Sequence, residues 1–123
     1  MMKETSAEPR LIDIVDTIER IRSVTHGVSL DAFVADWQKQ WVVERGIEII
    51  SEASRRLSED LKARHPEIQW KQIAGIGNVL RHEYERISAP ILWKVVQHDL
   101  DPLEDVCRIE LKIIEPPAKS DKP

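Results

Sequence analysis

Apolar positions recur at spacings of three and four along almost the whole chain, and no stretch alternates as a strand would. Leu11, Ile14, Val15, Ile18 and Ile21 make the first stripe, which predicts an amphipathic helix beginning at Pro9. It should end near Thr25-His26-Gly27, where Gly27 can take the left-handed position that closes a helix. Ser29 and Asp31 are candidate N-caps for the next element. Phe33, Val34, Trp37 and Trp41 form a second stripe, and Val43, Ile47, Ile50, Leu57 and Leu61 carry it on to about Arg64. No proline interrupts this span, so it reads as one long helix or as two joined by a kink near Trp41–Gly46. His65-Pro66 stops it, because the residue before a proline is pushed out of the α region. Ile73, Ile76, Leu80 and Tyr84 line one side of a third helix from Ile68 to about Tyr84. Gly75 and Gly77 lie inside it at a cost of ~1 kcal/mol each relative to alanine, which suggests close approach of another backbone. A fourth segment starts at Ser88-Ala89-Pro90 and carries Ile91, Leu92, Val95 and Val96. Asp101-Pro102 reads as an N-cap followed by proline at the first helical position. Leu103, Val106, Cys107 and Ile113 extend that last helix to Pro116-Pro117. The pattern predicts an all-α fold, a bundle of four to five helices over residues 9–115, with a flexible lead at 1–8 and a disordered tail at 116–123.

Composition narrows the function classes. A chain of 123 residues forms one domain, and 41% hydrophobic with 33% charged residues suits a helical domain with heavily charged faces. Glu44, Glu48, Glu52, Arg55 and Lys62 form such a face on the long central span, either solvated or turned to a partner. The net charge of -4 and pI near 5.6 argue against coating nucleic acid by bulk electrostatics, though not against a small site that cuts RNA. A single cysteine, Cys107, excludes an internal disulfide, and its apolar surroundings predict a packed, inert thiol. The N-terminus is polar and the apolar runs are short, so no signal peptide or membrane span is expected and the expected compartment is the cytoplasm.

Four histidines raise the question of metal, but His82-Glu83 is not followed by the spacing of a zinc or carboxylate-bridged site. His26, His65 and His98 read as surface residues, and neither a metal nor a cofactor is expected. Trp37, Trp41, Trp70 and Trp93 could stack on bases, yet the one-turn spacing of the first two favours core or helix-pairing packing. The run Gly77-Asn78-Val79-Leu80-Arg81-His82-Glu83-Tyr84 holds the densest chemistry. On a helix Asn78 shares a face with His82 and also with Arg81. Metal-free RNA cleavage by the substrate's own 2′-hydroxyl needs a proton carrier near neutral pH, histidine's property. It also needs a donor to the charge growing on the phosphoryl oxygens, arginine's usual task. The alternative is that His82 caps the helix end while Arg81 pairs with Glu85, and spacing alone leaves both open.

These residues resemble a known motif. The HepT-like branch of the HEPN superfamily carries Arg-x4-6-His, often extended to Arg-x4-His-x-Tyr near the end of its third long helix, and Val79 to Tyr84 matches the latter half. Ile73-Ala74-Gly75-Ile76 resembles the approach to that motif, and Glu44-Arg45-Gly46-Ile47-Glu48-Ile49-Ile50-Ser51-Glu52-Ala53 resembles the family's recurring segment on the long helix. Asp13–Ile21 and Asp99–Asp105 look like its first and last helices, so the resemblance covers about residues 10–115. It implies an all-α homodimer, a ribonuclease toxin acting on RNA, and a minimal nucleotidyltransferase (MNT) antitoxin as partner. On that resemblance His82 would be the catalytic histidine, Asn78 the polar residue after the motif arginine, and Tyr84 the tyrosine that the antitoxin AMPylates. One position departs: the family's arginine falls at Gly77. Arg81 lies four residues on, ~40° round the helix and ~6 Å along it. Loss of one charge-stabilising donor typically costs ~10²–10³ in rate. Gly77 is therefore compatible with an attenuated or inactive member kept as a binding module, with substitution by Arg81, or with a glycine introduced because the active toxin kills its host.

Overall fold

A computed structural model describes residues 2–82 and 89–114, with side chains from 7 to 80 and from 89 to 114. Its regular structure among those residues is helical: α1 (Met2–Thr25), α2 (Leu30–Val34), α3 (Trp37–Arg55), α4 (Glu59–Ala63), α5 (Trp70–His82), α6 (Ala89–His98) and α7 (Leu100–Ile114). Five of these are long enough to be bundle helices; α2 and α4 are single turns. The all-α fold that the periodicity predicts is present. The tail expected at 116–123 lies outside the described residues.

α1 buries the whole predicted stripe, with Leu11, Ile14, Ile18 and Ile21 each fully inaccessible to solvent. It also continues back through Pro9 to Met2, across residues the pattern assigns to a flexible lead, and Ala7 packs into the core. Gly27 takes φ 75° after its last turn, as the sequence predicts. The same core also holds Phe33, Val43, Ile47, Ile50, Leu61, Leu80, Leu92, Leu103 and Val106. Cys107 is fully buried there, and burial first, then the nearby Glu104 and Glu110, pushes its thiol up to about 12. That is the inert packed cysteine expected. Ile113, in contrast, extends the helix without joining the core and is exposed.

The long central span breaks twice, between α2 and α3 and between α3 and α4, and neither break falls near Trp41–Gly46, where a kink is expected. Asp36 caps α3 by accepting the Lys39 N–H at 3.1 Å, while the Gln40 amide donates to the Phe33 and Val34 carbonyls that end α2. Ser58 caps α4 by accepting the Leu61 N–H at 3.1 Å. Short polar side chains that capture backbone N–H groups end one helix and start the next without any glycine or proline. Ser29 caps α2 in the same way, accepting the Ala32 N–H.

Two contacts fix the helices against one another. At Gly46 a Cβ would stand 2.7 Å from Ile21 Cδ1 and 3.2 Å from Thr17 Cγ2, so α1 and α3 touch with no room for a side chain. Gly75 is the reverse, since a Cβ there meets nothing within 4 Å, and the close approach suggested for it is absent. α7 is tied to α1 by Arg22, which bonds Asp101 and Glu104, and by Arg108, which bonds Glu19 and Glu104. Asp101 therefore sits in the first turn of α7 with its carboxylate turned to Arg22, not at the N-cap.

His65 is not the surface residue it resembles in sequence. Its Nε2 lies 2.5 Å from Glu110 Oε2, and Arg64 donates to both Glu110 oxygens at 2.8 and 3.2 Å. The Trp70 indole N–H donates to the Lys62 and His65 carbonyls, seating the start of α5 on the end of α4.

Candidate functional site

α5 carries the motif, so its attachment decides where the site lies. Ser51 Oγ donates to the Ala74 carbonyl at 2.9 Å and Arg55 Nη2 donates to the same oxygen at 3.2 Å. Both donors lie in the last turns of α3, Ala74 lies early in α5, and the two helices pack along a long contact. α5 therefore runs back antiparallel beside α3, carrying the motif toward the middle and N-terminal half of α3. Leu80, buried in the core, pins the far end of α5.

Asn78 is exposed, one turn beyond Ala74, and Gly77 is buried. Arg81 and His82 are the last two residues of α5; their backbone is helical, and their side chains lie outside the described residues. Tyr84 also lies outside them. The structure thus places Asn78, Arg81 and His82 on consecutive turns at one end of α5. Behind this helix a cavity of about 380 Å³ opens between α3, α5, α6 and α7, floored by isoleucines and rimmed by Gln72, Lys94, His98 and Asp99. It faces away from Asn78. Among the described residues no three His, Cys, Asp or Glu side chains converge as a metal would require.

Two features of α3 depart from the sequence reading. Glu44 and Glu48 belong to the face expected to be either solvated or turned to a partner, and both are half-buried within this chain. Burial, and then the charge of Glu48, holds the Glu44 carboxyl above its ordinary value. Glu48 instead pairs with Arg45, 3.2 Å away. The available signal was that Glu44, Ser51 and Arg55 share one helical face, and Ser51 and Arg55 are the residues that dock α5.

Trp37 and Trp41 are the second. Of the core or helix-pairing packing expected for them, the core alternative fails for both, since they are 58% and 64% exposed. They meet edge to face, ring centroids 4.8 Å apart at 71°, with Leu30, Val34 and Val42 also exposed nearby in sequence. Trp93 does pack inward against Phe33, with centroids 5.0 Å apart.

Comparison with known proteins agrees with this architecture. Residues 14–109 match the family model described as Ribonuclease HepT-like. The chain is 37% identical over 94 residues to a protein of Thermococcus cleftensis named probable ribonuclease HepT, covering 76% of this chain and 86% of that one. It is also similar to two proteins provisionally named as RNases. One, from Methanocaldococcus jannaschii, is 29% identical over 103 residues, covering 84% of this chain and 94% of the relative. The other, from Caldanaerobacter subterraneus subsp. tengcongensis, is 31% identical over 96 residues, covering 78% and 86%. No solved structure matches the chain. From the helical stripes through the long α3 to the motif-bearing α5, the matched residues span the whole bundle, and the chain belongs to the ribonuclease HepT-like family.

Proposed function

We propose that this chain is a metal-independent endoribonuclease of a toxin–antitoxin pair, attenuated by Gly77. The observation that carries this reading is the run Asn78, Arg81 and His82 at the end of α5, followed two residues on in the sequence by Tyr84, in a chain of the HepT-like family. His82 moves a proton to or from the reacting oxygens, Asn78 orients the phosphate or base, and Arg81 supplies positive charge to the phosphoryl group. The substrate is RNA, and the functional unit is residues 9–115 as a homodimer whose two sites face one another. The partner is an MNT-type nucleotidyltransferase that adds AMP to Tyr84, placing bulk and negative charge beside the site and excluding RNA. The setting is cytoplasmic, with no metal, no cofactor and no membrane involved.

Gly77 favours a second reading, in which the chain is a non-catalytic dimer that serves as binding partner and AMPylation substrate of the nucleotidyltransferase. Cleavage assays separate the two. The first reading expects weak RNA cleavage by the chain, insensitive to EDTA, and cleavage raised ~10²–10³-fold by Gly77→Arg. Prior treatment with the nucleotidyltransferase and ATP should suppress it, with the mass of AMP appearing on Tyr84. Intact RNA with both the chain and its folded Gly77→Arg variant would leave only the binding reading.

A further inference from the structure

The register between α3 and α5 brings an acidic side chain to the level of the motif. Ser51 and Ala74 are in contact, which fixes the two helices at one point. Seven residues along a helix is two turns, ~10 Å of rise and ~20° short of full registry. Seven residues back from Ser51 is Glu44; seven residues on from Ala74 is position 81, followed by His82. Because the helices run antiparallel, both steps go the same way. Glu44 shares the face of Ser51 and Arg55 that α5 covers, and it is half-buried there.

Resting on the ribonuclease reading, we propose that Glu44 is the second proton-transfer group of the cleavage site, working with His82. The reaction needs two such groups. As the 2′-oxygen attacks phosphorus, its proton passes to the Glu44 carboxylate and the P–O2′ bond forms. The P–O5′ bond breaks as His82 in its protonated form gives a proton to the departing 5′-oxygen. The products are a 2′,3′-cyclic phosphate and a 5′-hydroxyl, with no outside reactant consumed. A carboxyl with an ordinary acidity is a weak base for this step, and the surroundings of Glu44 act in the direction that strengthens it. Burial first, and then the like charge of Glu48, hold it above its ordinary value. On its own helix the neighbouring charged groups are Glu48 and Arg45, and on α5 the backbone positions level with it are those of Arg81 and His82.

The test is the pH–rate profile for cleavage of a defined RNA, measured in EDTA in the Gly77→Arg background. Glu44→Gln is expected to lower the rate ~10²–10⁴-fold and to remove the acid limb, with the circular dichroism melt showing that it folds. Glu44→Asp should keep the acid limb at reduced rate. Glu48→Gln should move that limb to lower pH, since a like charge is removed. A Glu44→Gln protein that cleaves within a few fold of its parent, or keeps its acid limb, overturns the role of Glu44 while leaving the ribonuclease reading intact. A folded parent with no His82-dependent cleavage at any pH overturns both.

Discussion

At position 110 a carboxylate with 1% exposure lies inside a helical core, and its three hydrogen bonds explain how it is tolerated. Burial alone would raise its pKa, but the bonds from Arg64 and His65 outweigh that and hold it below the usual carboxylate range. A carboxyl held lower in the folded state stabilises the fold above its unfolded pKa, and that contribution is lost as pH falls through its folded value. Stability should therefore decline below the ordinary carboxylate range, and Glu110→Ala should flatten that decline. At neutral pH the same substitution, which removes the hydrogen bonds of Arg64 and His65 to a buried carboxylate, should cost about 1–3 kcal/mol by urea denaturation. Parallel stability curves against pH for the two proteins would contradict this. Position 110 falls on the stripe of Leu103, Val106 and Cys107, so its spacing marks it as inward-facing, but nothing in the sequence names the groups that pair with a glutamate there. Its partners are more than forty residues away, and only folding brings them together. His65 was hidden for the same reason.

Between elements, the informative residues are two glycines that the sequence does not tell apart. Gly46 separates α1 from α3 with Ile21 in contact, whereas Gly75 on α5 faces open space. Alanine gains ~1 kcal/mol of helix propensity at either site. At Gly46 the clash with a fully buried isoleucine outweighs it, so Gly46→Ala should destabilise by about 1–3 kcal/mol. Gly75→Ala should stabilise by ~0.5–1 kcal/mol. Thermal melts check both, and equal shifts of the same sign would contradict the packing described. The helices themselves were largely legible, because the core is built from the periodic stripes of α1, α3 and α7. The breaks around α2 and α4 were not. They depend on Asp36 and Ser58 acting as caps, and such residues occur as readily on an exposed helical face.

For the whole molecule, family and fold were legible because they rest on the α3 segment and the motif, both of which can be read along the chain. Assembly was not. The edge-to-face pair of Trp37 and Trp41, each more than half exposed, is an apolar surface of the kind that marks a protein contact. If the proposed homodimer uses it, replacing both tryptophans by serine should yield a folded monomer by light scattering; an unchanged dimer would place the interface elsewhere. The proposed activity turns on α5. The most direct measurement is the fate of a labelled RNA in EDTA with Gly77→Arg protein, alone and combined with His82→Ala. The account predicts cleavage leaving 2′,3′-cyclic phosphate ends with the single variant and none with the double. Cleavage that survives His82→Ala, or RNA left whole by folded Gly77→Arg protein, would contradict it.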